Sequence, residues 1–302
     1  MTTIAITNVH LDLGAGRRGT DMGPSAIHVA QLIPRLTKIG HDISTITSIG
    51  SKSYEALKVH QANARFLPDI LRICTELKQT VMQNLENQHF PLVLGGDHSQ
   101  AAGTISGIST HFKKQGKELG VIWVDAHTDM NTPDTSPSGN VHGMPLSALL
   151  GHGHPDFVGL NGESPSLKPE NVAIIGARDI DITERDIVNR TGVRVYTMSE
   201  IDRRGAAICF AEAIEHVSKN TDGIHLSFDL DGVDPREAPG VGTPVPGGLS
   251  LRESHLICEM LAETGRLVGM EMVELNPILD VSNQTGKLAV WLIQSALGKS
   301  IL

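Results

Sequence analysis

The chain has no basic surplus. Lysine and arginine number 25 against 34 aspartates and glutamates over 302 residues, a net charge of −9. This excludes nucleic acid as an expected partner, because gripping a phosphate backbone requires a cationic face. Cysteine is nearly absent: Cys74, Cys209 and Cys258 are odd in number, far apart and set in apolar helical patterns. They read as buried thiols, not as a disulfide or a nucleophile, which suits a cytoplasmic protein. No apolar run approaches the roughly 18 residues that a membrane helix needs. The opening Met1-Thr2-Thr3-Ile4-Ala5-Ile6-Thr7 lacks a basic n-region and a sustained apolar h-region, so it reads as a first strand and not a signal peptide. Repeats, low-complexity tracts and linkers are missing as well, and the expectation is a single domain over residues 1–302. With 40% hydrophobic and 20% charged residues, what remains is an ordinary globular composition.

Residues 3–9 suit a first strand, followed by a glycine-rich basic loop at 14–19 and a helix opening at Gly23-Pro24-Ser25. Gly14, Gly16 and Gly19 echo a dinucleotide fingerprint, but no acidic residue follows at the right distance at the end of a second strand. Residues 42–49 suit a second strand. Apolar residues at Phe66, Ile70, Ile73, Leu77, Val81 and Leu85 mark a helical pattern over about 54–88, interrupted once by Pro68. Strands are then expected at 91–95, 119–125, 172–176, 193–196, 224–229 and 266–273, and helices at 99–114, 143–150, 205–219, 250–264 and 283–298. Residues 151–170 read as an irregular connection. This alternation predicts a mainly parallel sheet with helices on both faces. Ligands of such sheets bind outside the carboxyl ends of the strands. The polar clusters at 95–98, 125–142, 178–184, 229–243 and 271–276 all fall there.

The densest chemistry follows the apolar run Val121–Val124, where Asp125, His127 and Asp129 stand at spacing two and can project to one side of a strand end. Asp229 and Asp231 follow a second apolar strand in the same way. His98 follows a third, after two glycines that permit close backbone approach. Four aspartates in one buried cluster cannot all stay ionised unaided, and divalent cations resolve the difficulty. If Asp125 and Asp229 bridge, six side chains serve two ions with one histidine each, a donor set that favours Mn²⁺ or Mg²⁺. Two ions roughly 3.5–4 Å apart would hold a bridging hydroxide ready for attack and leave one net negative charge for a cationic substrate. Asp234, followed by proline, reads as a turn former. His10, His28, His111 and His255 read as surface or network histidines. On its own residues, His142 is equally a loop histidine and a proton carrier.

Gly95-Gly96-Asp97-His98-Ser99, Asp125-Ala126-His127-Thr128-Asp129, Ser227-Phe228-Asp229-Leu230-Asp231-Gly232-Val233-Asp234-Pro235, Gly242-Thr243-Pro244 and Met272-Val273-Glu274-Leu275-Asn276-Pro277 together resemble the ureohydrolase family. The match runs in order over nearly the whole chain. Within that family, the loop from Asn131 to Ser138-Gly139-Asn140-Val141-His142 and the run Arg178-Asp179-Ile180-Asp181-Ile182-Thr183-Glu184 are similar to those of arginases. The resemblance implies an α/β fold, a single three-layer α/β/α domain around a mainly parallel eight-stranded sheet. It implies two Mn²⁺ per chain, one held by His98, Asp125, Asp129 and Asp229, the other by Asp125, His127, Asp229 and Asp231. Glu274 would receive the substrate guanidinium, whose fork of donors suits a carboxylate, and His142 would shuttle protons. Asn131, Ser138 and Asn140 would take an α-carboxylate and Asp181 with Glu184 an α-amino group, while Ser138, Asp181 and Glu184 could also serve in turns and helix caps. Thr243 would support Glu274 or the hydroxide.

The implied reaction is hydrolysis of L-arginine to L-ornithine and urea. The bridging hydroxide attacks the guanidinium carbon, and the amine departs with a proton supplied by way of Asp129 or His142. An agmatinase, or another guanidino-compound amidinohydrolase, would keep all six ligands but have no use for the donors of the 138–142 loop. A non-catalytic, metal-stabilised binding module would be expected to have lost some of the six ligands, Glu274 or His142. A two-metal phosphoesterase would want an Arg/Lys cluster that the site loops lack. A homo-trimer or homo-hexamer is expected, although the chain ends at Leu302 without the extended tail by which some arginases contact their neighbours. Pro137 is expected to stiffen the recognition loop.

Overall fold

The strands are β1 (Thr3–His10), β2 (Asp42–Gly50), β3 (Phe90–Leu94), β4 (Leu119–Val124), β5 (Val172–Ile175), β6 (Arg194–Tyr196), β7 (Gly223–Asp229) and β8 (Leu267–Val273). They form one eight-stranded sheet, in the order β2-β1-β3-β8-β7-β4-β5-β6, and every pairing is parallel. This computed structural model describes residues 2–162 and 165–300, so Met1 and Leu302, named in the sequence reading, lie outside it. β3, β4 and β5 are buried along their whole length, which is why they read as unbroken apolar runs: a parallel sheet covered on both faces leaves no polar side.

The covering helices are α1 (Gly23–Val29), α2 (Leu32–Lys38), α3 (Leu67–Glu86), α4 (Ala101–Lys113), α5 (Pro145–Leu149), α6 (Pro155–Val158), α7 (Ile182–Thr191), α8 (Met198–Arg204), α9 (Ala206–Ser218), α10 (Leu251–Glu263) and α11 (Gln284–Ala296). Two cores result. Leu92, Leu94, Ile122, Val124, Leu226, Phe228, Met270 and Met272 pack with apolar residues of α1, α2 and α8–α11. The alternate residues Val93, Val121, Trp123 and Ile174 pack with those of α3–α7. Alternation along each strand therefore sorts side chains between two layers. Burying each large side chain contributes on the order of 1.5–3 kcal/mol.

The sequence reading departs from this fold mainly before β3. Residues 54–88 are not one helix. Tyr54–Ala56 is a single 3₁₀ turn, and α3 starts at Leu67 with Pro68 in its first turn, where a missing N–H costs nothing. Phe66 sits at φ 55°, which ends any helical path into α3. The intervening segment instead braces the 131–140 loop, Arg65 N donating to Gly139 O at 2.9 Å and Asn63 Nδ2 to Pro133 O at 3.2 Å. The connection at 151–170 contains the short α6, and α8 precedes α9 as a separate helix. All three cysteines are buried and unpaired. Among the described residues no helix is long and apolar enough to cross a membrane.

Asp234 forms the turn beyond β7. Its Oδ2 accepts from Gly247 N at 2.8 Å and Gly248 N at 3.2 Å, and its Oδ1 accepts from the backbone and side chain of Arg236. The Arg236 hydrogen bonds, ahead of the backbone donors, hold this carboxyl well below its usual range. Arg236 is itself exposed, so the durable part is the backbone clamp. A depressed carboxyl stabilises the fold above its unfolded value near 3.9, and that contribution fades as pH falls below it. Asp234→Ala is expected to cost about 2–3 kcal/mol near neutral pH, read as a shift in urea midpoint of the metal-free protein. The penalty should shrink below about pH 4. A midpoint unchanged at neutral pH would remove Asp234 from the clamp.

Candidate metal centre

Four adjacent strands, β3, β8, β7 and β4, end in the polar groups singled out above. β4 runs into Asp125, whose two oxygens face opposite ways. Oδ2 accepts from Trp123 Nε1 at 2.9 Å and lies 3.2 Å from His98 Nδ1, while Oδ1 accepts from His127 N at 2.7 Å and lies 3.3 Å from His127 Nδ1. Asp129 turns back toward His98, its Oδ2 3.0 Å from Nδ1, through a left-handed backbone at φ 51°. Non-glycine residues hold that conformation only where surrounding structure enforces it, and such residues cluster at functional sites. From β7, Asp229 Oδ2 lies 3.1 Å from His98 Nδ1, and Asp231 Oδ2 lies 3.2 Å from His127 Nδ1. Thr243 Oγ1 donates to that same Asp231 oxygen at 2.8 Å, so Thr243 stands beside Asp231 and makes no hydrogen bond to Glu274. His98 stacks on Trp123 with ring centroids 4.1 Å apart.

His98 decides what the cluster can hold. Its Nε2 is 2.9 Å from Ser227 Oγ, and the Ser227 hydroxyl donates to Glu271 Oε1 at 2.9 Å. The serine oxygen therefore accepts from Nε2–H, which leaves the Nδ1 lone pair facing three carboxylate oxygens in a fully buried place. Four acceptors without a donor are untenable unless a cation sits between them. Protons are the weaker remedy. Burial opposes a charged His98, yet the three carboxylates raise its pKa well above the ordinary value. Burial, with repulsion from Asp125, pushes Asp129 up to about 7. Burial, with Asp231 and Asp125, carries Asp229 well up. His98, Asp125 and Asp229 form one group able to hold an ion and Asp125, His127 and Asp231 another, with Asp125 common to both. Oxygen-rich sets with single imidazoles fit hard divalent cations.

Around this floor lies a cleft of about 240 Å³ lined by His127, Asp129, Asn131, Ser138, Asn140, His142, Asp181, Glu184 and Thr243. Glu274 lines a neighbouring cleft with His142 and Thr243. It too is left-handed, at φ 64°, just past β8. Its Oε1 accepts from His98 N and from His142 Nδ1, both at 2.9 Å, whereas its buried Oε2 has no partner. Burial works against a charged His142, but the Glu274 carboxylate raises its pKa to about 9. Asn131 Nδ2 donates to Asp181 Oδ2 at 3.0 Å. Glu184 is committed inward, accepting from Thr128 Oγ1 at 2.5 Å, Met130 N at 2.8 Å and Asp181 N at 3.3 Å at the start of α7. His10, His28, His111 and His255 each have a local polar neighbour elsewhere.

Several supporting groups stand within the motifs of the sequence with no role that the sequence assigns them. Asp97 accepts from Gly14 N at 2.8 Å and from Ser99, tying the first glycine loop to the end of β3, and burial with the nearby Glu274 pushes it up to about 6. The Arg178 guanidinium donates to the carbonyls of Gly176, Asp231, Gly232, Val233 and Val245 and so fastens the β5 and β7 loops together. Asp179 lines both clefts. A carboxylate of no obvious partner at a strand end was the available signal for Asp97 and Asp179; nothing local signals the role of Arg178.

Fold and site define a class: α/β proteins with a cleft lined by carboxylates and histidines placed to hold cations at the carboxyl ends of the central strands of a parallel sheet. A model of the arginase family matches residues 2–298. The arginase of Bacillus subtilis (strain 168) is 50% identical over 99% of each chain. The solved arginase of Bacillus caldovelox superposes with a TM-score of 0.95 at 47% identity over 100% of both chains. That of Entamoeba histolytica, in complex with L-ornithine, does so with a TM-score of 0.89 at 30% identity over 99% of this chain and 100% of its own. The chain belongs to the arginase family and is a hydrolase.

Proposed function

We propose that this hydrolase converts L-arginine and water to L-ornithine and urea at a pair of Mn²⁺ ions. The observation that carries the reading is the pairing of a cation-demanding floor with a buried, partnerless Glu274 Oε2 beside it. His98, Asp125, Asp129 and Asp229 would hold one ion, and Asp125, His127, Asp229 and Asp231 the other. Bound there, two divalent ions would lower the pKa of water and supply hydroxide at neutral pH. Glu274 binds the guanidinium through Oε2 and fixes its carbon over the floor, an orientation worth more than contact alone. His142, held by Glu274 at 2.9 Å and only partly buried, carries protons between the cleft and solvent, and Asp129 passes one to the departing amine. Asn131, Ser138 and Asn140 offer donors to the α-carboxylate. Asp181 and Glu184 receive the α-amino group, Glu184 through a water because Oε1 is held by Thr128 and Met130 and Oε2 by Asp181 N. The L-ornithine bound to the Entamoeba relative supports a product of this shape.

Urea release by the Mn²⁺-loaded protein, with L-arginine and agmatine offered side by side and a chelator-treated control, tests the reading. Release from arginine at least about a hundredfold faster than from agmatine is expected, since losing the partner of several donors costs about 3 kcal/mol. Preference for agmatine would keep the floor chemistry and overturn the role of the 131–142 loop. Release undiminished by the chelator would overturn the metal.

A further inference from the structure

Behind the metal floor, the β7–β8 part of the sheet face that carries Val93, Val121 and Trp123 is polar where an apolar core is the norm. His225, Ser227 and Asp229 stand at spacing two on β7, and Ser227 pairs in register with Glu271 on β8. His225, Ser227 and Glu271 are each 0% exposed. A carboxylate so deep needs partners and a reason. Its Oε1 accepts from the Ser227 hydroxyl at 2.9 Å and lies 3.4 Å from His225 Nε2, while its buried Oε2 has no hydrogen-bond partner. Ser227 Oγ in turn lies 2.9 Å from His98 Nε2.

We infer that Glu271 is a positioning residue for the metal centre, acting through Ser227 to fix the proton of His98 on Nε2 and keep the Nδ1 lone pair on the ion. The inference rests on the reading of His98 as a metal ligand. Because an ionised carboxylate only accepts, it consumes the one proton of Ser227 and leaves the serine oxygen as an acceptor. The imidazole must then donate from Nε2, the state in which Nδ1 can ligate. Glutamine in place of Glu271 has the same size but can present its amide N–H₂ to Ser227 Oγ. The serine proton is then free to turn to His98 Nε2, which drives the imidazole proton to Nδ1 and into the seat of the ion.

The test is a Mn²⁺ titration of chelator-stripped protein, followed by the electron-spin resonance of free Mn²⁺, on the full chain and on Glu271→Gln, Ser227→Ala and Ser227→Thr. The wild-type protein should bind two ions. Glu271→Gln should weaken one of the two by about 10–100-fold, as for other groups that orient metal ligands, and the other by much less. Ser227→Ala, which removes the relay without reversing it, should weaken the same ion less than Glu271→Gln does, and Ser227→Thr should restore it. A merely structural role predicts the reverse order, since glutamine fills the space of glutamate; that order, or equal binding by all four folded proteins, overturns the inference. A wild-type protein that binds no Mn²⁺ overturns the metal reading and this inference with it.

Discussion

Replacing Asp125 with asparagine is expected to lower urea release from arginine by roughly 10²–10⁴-fold, the equivalent of the 3–5 kcal/mol that losing one member of a buried charged set costs. The same variant should lose bound Mn²⁺ from both positions. No other side chain in the floor gives an oxygen to each imidazole, 3.2 Å from His98 and 3.3 Å from His127. Asparagine keeps the size but must turn an N–H₂ one way or the other. Turned toward His98, it sets a donor against Trp123 Nε1–H, and turned toward His127, a donor against the His127 N–H. Either choice also removes one ligand oxygen. Steady-state urea release together with metal content by atomic emission checks both halves. Wild-type metal content with activity within tenfold of wild type would contradict the shared-ligand reading.

That Asp125 could be singled out from sequence reflects how local its signal is. A β-branched run gives the strand, the two-residue period gives the side on which Asp125, His127 and Asp129 project, and the end of the strand gives the site. His98, Asp229 and Asp231 were legible for the same reason. The helical segments fared less well where a local pattern was cut by backbone geometry. The apolar spacing from Phe66 to Leu85 is real and makes α3, but nothing in it reveals that Phe66 turns left-handed or that residues 57–65 serve a loop seventy residues away. The helix stops where contacts with the 131–140 loop take over.

The groups that support the floor were illegible for a different reason. Glu271 is a lone acid in the apolar run Leu267–Val273, and Ser227 a small polar residue in another. Their meaning appears only when parallel register sets β7 beside β8 and β8 beside β3, so that His98, past the end of β3, reaches Ser227. Arg178 likewise donates to five carbonyls contributed by two strand ends and their loops, a role that depends on where the backbone goes and not on which side chains it carries. Strand order, not strand pattern, holds this information.

Glu274 joins the two kinds of signal, since its motif was legible and its geometry was not. Glu274→Gln is expected to reduce kcat/KM for arginine by about 10²–10⁴-fold while both Mn²⁺ ions stay bound, two charge-assisted hydrogen bonds at about 1.5–3 kcal/mol each setting the range. The amide oxygen can still accept from His98 N, so the end of β3 keeps its place. What disappears is the charge on the buried atom that has no partner of its own, Oε2. An uncompensated buried carboxylate oxygen destabilises the empty cleft, and a guanidinium relieves that strain on binding. Ser138 and Asn140, the proposed donors to the α-carboxylate, would face the other end of the substrate, so the loss should be the same factor for arginine as for any agmatine activity the protein has. Equal loss on both, with metal retained, puts Glu274 at the guanidinium; loss confined to arginine would move it to the α-carbon end and leave the guanidinium without a recognised anchor.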